Sequence, residues 1–335
     1  MYFKFFFILI SFLSVFSISL YSQCFTSPGN PVGGNASLGT LPANVHRITF
    51  FHKYNYTDVY FSGDNKADNI YDHALYNYIG NTISLGLTGK INLDIESGYF
   101  INKVIQYPGD NPNPLLANKK ITGSGFSNCN FIGKYNLYNN KDKMFEWTVG
   151  SGIKIPFSKN PITENTTILP LDVQPSTNSF GYIVESYLIK ENSMRGLRFF
   201  LYNRIESNFK NSLDYKYGNT YINSFFISKH LWFPWTTGDG IWTTILQFRN
   251  ETRTRTIYPS GEYKEASGGI LFFISPQINI TIAKKWNISV YSDIPVYQYL
   301  NGTQLANKYI FYFTVSKDFI FNKEIRAEME QMRSL

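Results

Sequence analysis

The sequence predicts an all-β chain, a transmembrane antiparallel β-barrel of about 12 strands behind a cleaved signal peptide. Three observations predict it. Apolar and polar side chains alternate with a period of two in segment after segment, and connections sort by parity, short on one side and longer on the other. The composition is also rich in aromatics and poor in charge. Of 335 residues, 18% are aromatic (25 Tyr, 29 Phe) and 16% are charged, against about 25% charged in soluble domains. Strands that face lipid need aromatic belts at both interfaces, which accounts for the Tyr and Phe.

The N-terminus comes first. Lys4 precedes an uncharged run over 5–20 built from Phe, Ile, Leu, Val and Ser, then Tyr21-Ser22-Gln23. A basic start, an apolar stretch and small or polar residues read as a secretory signal peptide over 1–23. An N-terminal anchor is the alternative, and no second apolar run of about 18 residues offers a membrane helix. Cys24 as a lipidated first residue is a further alternative. Residues 24–44 are rich in Gly, Pro, Asn and Ser without periodicity, and read as a flexible arm, disordered or tucked into the lumen. Two cysteines are too few for a disulfide framework, although Cys24 and Cys129 could pair in an oxidising compartment. The net charge of +7 comes from 31 basic and 24 acidic residues spread along the chain, so nucleic acid is not an expected partner.

Strands follow near 45–57, 76–88, 91–106, 123–138, 144–156, 179–190, 197–209, 219–231, 241–256, 267–282, 286–299 and 308–319, and the barrel spans 45–319. The clearest is 242–255. One face carries Trp242, Thr244, Leu246, Phe248, Asn250, Thr252 and Thr254, and the other Thr243, Ile245, Gln247, Arg249, Glu251, Arg253 and Arg255. Four charges on one face and none on the other suit a polar lumen backed by lipid. In 93–102, Leu93, Ile95, Ser97, Tyr99 and Ile101 point outward. Asp94, Glu96, Gly98 and Asn102 point inward, with Phe100 an inward exception. In 145–155, Phe145, Trp147, Val149, Ser151, Ile153 and Ile155 oppose Glu146, Thr148, Gly150, Gly152 and Lys154. Strand eight is ambiguous, since both faces mix polar and apolar residues. In the last strand Phe311, Phe313, Val315, Lys317 and Phe319 face out; the charged tail 320–335 is read as periplasmic, either a short helix or a frayed end.

Tight joins are expected after strands two, four, six and ten, and a somewhat longer aromatic one after eight. Longer polar joins are expected at 58–75, 108–122, 156–178, 210–218, 258–266 and 300–307. Periplasmic turns and extracellular loops of a membrane barrel differ in this way. A loop as long as 156–178 is either disordered or functional, and its functional form is a constriction folded into the pore. Asn301-Gly302 reads as the tip of a plain hairpin.

Charge on a lipid face costs roughly 2–4 kcal/mol at the midplane, so charged residues collect inside. The lumen-lining candidates are Asp94, Glu96, Glu146, Lys154, Glu185, Arg204, Glu206, Arg249, Glu251, Arg253, Arg255 and Asp293, with Arg47 and Lys53 on the first strand. Both signs occur in comparable number. They either cross-link a closed interior or line a small passage. Arg249, Arg253 and Arg255 on one strand would favour anionic or polar groups. His46, His52, His73 and His230 have no metal-site spacing, no G-x-S-x-G elbow occurs, and no strand histidine lies in a Ser-rich motif. No catalytic residue, metal or cofactor is expected.

Two motifs carry a resemblance. Gly150-Ser151-Gly152-Ile153-Lys154-Ile155-Pro156, followed by Leu169-Pro170-Leu171-Asp172-Val173-Gln174-Pro175-Ser176-Thr177, resembles the G-x-K-x-P and L-P-x-D-x-Q-P-G-T-G stretch of a bacterial outer-membrane family. That family is named for the meta pathway of phenol degradation, and its members are described as transporters. Residues 293–305, with Ser267-Gly268-Gly269 and Ser275-Pro276, are similar to its penultimate strand and neighbouring positions. The resemblance covers roughly 45–319. Ser176 stands where the family tends to have Gly, and the Cys-rich arm of some relatives is reduced to Cys24. It implies a transporter, and aromatic solutes follow from the family name alone. The expected protein is a monomeric outer-membrane channel for passive uptake of a small polar, anionic or aromatic molecule, in contact with outer-membrane lipid. The alternative is a non-conducting structural or interaction barrel.

Overall fold

In a computed structural model, residues 39–321 are described, apart from 111–113, 115–116, 159, 165–166, 193–195, 232–239 and 284. The expected signal peptide, most of the arm with Cys24, the join after strand eight and the tail beyond Phe321 lie outside the described residues. The early strands are β1 (Val45–Thr57), β2 (Tyr60–Gly63), β3 (Asn65–Ala67), β4 (His73–Gly86), β5 (Ile91–Gln106), β6 (Lys120–Phe126), β7 (Asn128–Asn140) and β8 (Phe145–Pro156). Next come β9 (Thr163–Glu164), β10 (Thr167–Ile168), β11 (Gly181–Asn192), β12 (Leu197–Asn208), β13 (Thr220–Leu231) and β14 (Ile241–Arg253). The last are β15 (Gly269–Ile282), β16 (Trp286–Leu305) and β17 (Tyr309–Ile320).

Antiparallel neighbours run β15-β14-β13-β12-β11-β8-β7-β5-β4-β1-β17-β16, and β16 pairs back onto β15. The result is a closed barrel of twelve walls, which leaves no open sheet edge in lipid. Among the described residues no helix is long and apolar enough to cross a membrane. The twelve walls match the expected strands to within a few residues. The fourth is built in two pieces, because β6 pairs with the upper part of β5 and β7 with the lower. Ser127 sits between them, its hydroxyl donating to the Gly98 carbonyl (3.1 Å).

Inside and outside follow the alternation. On β14, Thr243, Ile245, Gln247, Arg249, Glu251 and Arg253 are buried, while Leu246 and Phe248 are exposed. On β17, Tyr312, Thr314 and Ser316 are buried and Phe311 and Phe313 are exposed. β13 resolves the same way, with Ile222, Ser224, Phe226 and Ser228 inside and Phe225 outside. The register of β5 departs from expectation. Tyr78 pairs with Phe100 but Asn77 with Asn102, leaving Ile101 as an extra residue. This β-bulge reverses the phase beyond Phe100. Asn102 therefore faces outward, against the inward expectation, and Lys103 turns in and is fully buried. Outward polar residues find each other: Asn77 Nδ2 donates to Asn102 Oδ1 (2.9 Å) and Ser97 Oγ to Asn81 Oδ1 (2.6 Å).

A second correction concerns Asn301-Gly302. It is not a hairpin tip, because β16 continues through it to Leu305 and the join before β17 is short. Gly302 has φ +58, a left-handed conformation that glycine adopts without a Cβ clash. There the register shifts and β16 takes β2 as its partner, from Leu300↔Gly63 to Leu305↔Tyr60. On the opposite rim, turns 87–90, 141–144 and 283–285 are short. Short turns mark the periplasmic rim of a bacterial membrane barrel.

Candidate functional site

Most of the charged residues expected in the lumen are buried and gather in two groups, while Arg47 pairs with Asp318 and Glu146 stands apart at one mouth. The larger spans β5, β7, β8, β11 and β12. Lys134 Nζ lies 2.6 Å from Asp94 and 3.4 Å from Glu185. Arg204 is its hub, at 2.8 Å from Glu96, 2.8 Å from Glu206 and 3.5 Å from Glu185. Lys154 reaches Glu206 at 3.8 Å. Neutral donors complete the carboxylates: Tyr187 and Tyr202 hydroxyls donate to Glu185 (2.9 and 3.4 Å), and Asn130 Nδ2 to Glu96 (2.9 Å). The Arg204 side chain is 1% exposed and that of Glu185 0%. Buried charges persist only when paired and hydrogen-bonded, and this lattice meets that condition.

The second group lies across the lumen on β14, β16 and β1. Arg249 is 2.8 Å from Asp293, which also accepts a hydrogen bond from Ser275 Oγ, and its guanidinium stacks 4.4 Å over the Phe273 ring. Arg253 Nε donates to Glu251 (2.7 Å). Lys53 Nζ stands 6.0 Å over the Tyr312 ring, and Arg255 lies half-buried just past the end of β14. Around these stand small uncharged polar residues, with Ser224, Gln247 and Gln277 joined in a hydrogen-bonded chain (3.0 Å each). Asn55, two residues along β1 from Lys53 and 1% exposed, has no hydrogen-bond partner among the described residues on either carboxamide atom.

At the periplasmic end, Glu146 receives Asn136 Nδ2 (2.9 Å), Thr148 Oγ1 (2.9 Å) and the backbone N–H of Thr40 (3.3 Å). The described end of the N-terminal arm therefore lies across this mouth. At the other end, loop 157–180 folds inward. Leu169 and Val173 pack with Tyr60, Tyr76, Ile105, Ile121 and Leu305. Gln174 holds the loop in shape, its side chain accepting from the Ile162 N–H (2.8 Å) and donating to the Ile162 and Leu169 carbonyls (3.0 Å each). Lys103 ties it to the wall by donating to the Gln174 carbonyl (2.7 Å). Ser176 Oγ donates to Asn128 Oδ1 (2.7 Å), and the backbone at Gly123 passes so close to the Val173 carbonyl that any Cβ would collide with it.

Two functional residues were missed from sequence. Lys134 was legible, since Phe131, Gly133, Tyr135 and Leu137 leave it on the inner face. Lys103 was not, because the Ile101 bulge changes the phase. The histidines scatter: His73 bonds Asp72 (2.8 Å), His230 bonds Thr243 (2.9 Å), and His46 lies tilted against the Phe321 ring. Cys129 lies on the outer side of β7 and is bonded to no other cysteine among the described residues.

No protein-family model and no curated protein matches the sequence. Solved structures do match. The COG4313 outer membrane channel from Pseudomonas putida F1 superposes with a TM-score of 0.63 at 10% identity, over 85% of this chain and 98% of that one. The β domain of the Bordetella autotransporter BrkA covers 83% and 100% at 8% identity (TM-score 0.46), and the KdgM porin 82% and 99% at 10% (TM-score 0.39). The first of these shares the fold. A closed antiparallel barrel, apolar outside and charged within, is a bacterial outer-membrane β-barrel.

Proposed function

We propose that this barrel is a passive channel through which a small polar or anionic molecule enters the periplasm, with loop 157–180 as its constriction. The observation that carries the reading is that loop itself. It is drawn into the lumen and tied by side chains to a polar wall, Lys103 above all. A barrel that served only as a membrane anchor has no need of a constriction. The cations Lys53, Arg249, Arg253 and Arg255 outnumber Glu251 and Asp293 on the facing wall, and the unmatched Asn55 carboxamide offers a donor and an acceptor beside them. Those features favour anionic or polar solutes. The likeness to the phenol meta-pathway family is kept as part of the proposal: its L-P-x-D-x-Q-P stretch falls on the constriction. Through that name alone it adds aromatic acids to the solutes worth testing. No cofactor is needed, and the barrel works as a monomer.

A second reading, a non-conducting barrel, is favoured by the burial of mid-lumen charges such as Arg204 and Glu185. Liposome swelling with sugars, amino acids and aromatic acids separates the two. In planar bilayers, Arg253→Glu with Arg255→Glu is expected to shift the reversal potential toward cation selectivity. Unchanged selectivity, or no conductance from the unmodified protein, sinks the channel.

A further inference from the structure

The two rims of the barrel differ in charge. At the periplasmic rim, Lys190, Lys229 and Lys317 face outward within a few residues of the ends of β11, β13 and β17, and Lys285 stands in the turn before β16. None of the four forms an ion pair with an acid among the described residues. The acids of this rim are engaged elsewhere: Asp318 turns inward to Arg47 (2.6 Å), Glu146 is closed over by Thr40 and Asn136, and Glu191 is held by Arg198 (2.7 Å). Among the described residues Asp142 alone is fully exposed there. The extracellular loops instead carry Asp58, Asp64, Asp68 and Asp72 among their lysines, with Lys308 bridged to Asp58 (2.8 Å).

Depth is fixed by tryptophan. Trp147 and Trp286 are each 41% exposed on the outer face of the same rim, and tryptophan sits at headgroup level. Lys317 Nζ lies 4.5 Å from the Trp286 ring and 5.0 Å from Phe319. Its ammonium is thereby held at the depth of lipid phosphate, with Lys285 in the adjoining turn. Each cationic side chain at headgroup depth attracts anionic lipid at about 1 kcal/mol, so Lys317 and Lys285 act together, while Lys229 and Lys190, four and six walls away around the barrel, act at separate points of the rim.

We propose that this rim binds the phosphodiester headgroup of an anionic glycerophospholipid in the periplasmic leaflet, centred on Lys317, Lys285 and Trp286 and extended around the barrel by Lys190 and Lys229. The partner is lipid, because the aromatic platform addresses acyl chains as well as phosphate. The test uses the full chain refolded with mixtures of phosphatidylcholine and phosphatidylglycerol, and native mass spectrometry to count retained lipid. The wild type is expected to retain phosphatidylglycerol preferentially, and each of Lys190→Gln, Lys229→Gln and Lys317→Gln to lower that preference roughly fivefold. The triple arginine variant should keep it, which separates lost charge from a damaged fold. Lys119→Gln with Lys308→Gln, on the other rim, should leave it unchanged. Equal retention of both lipids, or full retention by the triple glutamine variant, overturns the proposal. So does displacement by inorganic phosphate at millimolar concentration, or equal retention of lipid A lost with the same variants.

Discussion

The two inner walls carry similar residues and use them differently. On the β5–β12 side, four carboxylates (Asp94, Glu96, Glu185, Glu206) meet three cations (Lys134, Lys154, Arg204), and each cation serves one to three acids. On the β14–β16 side a shorter chain forms, Asp293–Arg249–Glu251–Arg253, with Arg249 2.8 Å from Asp293 and 3.9 Å from Glu251, among serines and glutamines. A shared hub makes the first wall a structural cross-link, since removing one member strands several others. A shorter chain with no three-acid hub and with surplus positive charge would, in the proposed channel, let the second wall set which ions pass. Chemistry of the residues is therefore a poorer guide to role than the number of partners each one has.

The largest effect is expected at the hub. Arg204→Met leaves Glu96, Glu185 and Glu206 buried without their common partner, and should cost roughly 3–5 kcal/mol, read as loss of folded yield or of heat-resistant migration in gels. Arg249→Met should cost less, because it leaves Asp293 without a cation while Glu251 keeps Arg253; equal losses would erase the contrast between the walls. Next comes the loop. Lys103→Met removes a buried charge-assisted hydrogen bond, worth about 1.5–3 kcal/mol, and should raise single-channel conductance and expose loop 157–180 to protease. Folding should stay intact, and an unchanged conductance would show that the loop is not what limits flow. The smallest effect is at the rim. The hydrogen bond to Asp58 lifts the Lys308 pKa above its ordinary value. That bridge is present below the free-lysine value and lost as pH rises through the raised one. Being fully exposed, it should contribute nothing measurable, and Lys308→Met should unfold like the wild type.

The walls were legible in the sequence because each crossing keeps a strict period of two. Residues 242–255 show all their inward charges in the right phase, and the parity of loop lengths marks the rims. What was hidden came from the third dimension. Arg204 and Glu96 are neighbours across 108 positions of sequence, and only the stagger of the closed sheet decides that. The bulge at Ile101 has no residue signature, so Lys103 stayed out of sight. Asn-Gly at 301–302 carries the chemistry of a tight turn. It served instead as a break in register within one long strand, because β2 was there to take over the pairing. In β13 the adjacent Phe225 and Phe226 blurred the two faces, until Phe226 joined Phe200 in an inner apolar cluster.

The reach of β16 has a consequence for how the mouth behaves. At twenty residues against twelve for β17, it stands above the membrane as a one-sided parapet, with β2 fastened along its top. Leu305 and Tyr60, on that parapet, press against Leu169 and Val173 of the inward loop, while Lys103 grips the loop from the far side. A segment wedged between two abutments behaves as a keystone and not as a hinged flap. The aperture it leaves should have a set width, giving a steady current that does not flicker with voltage.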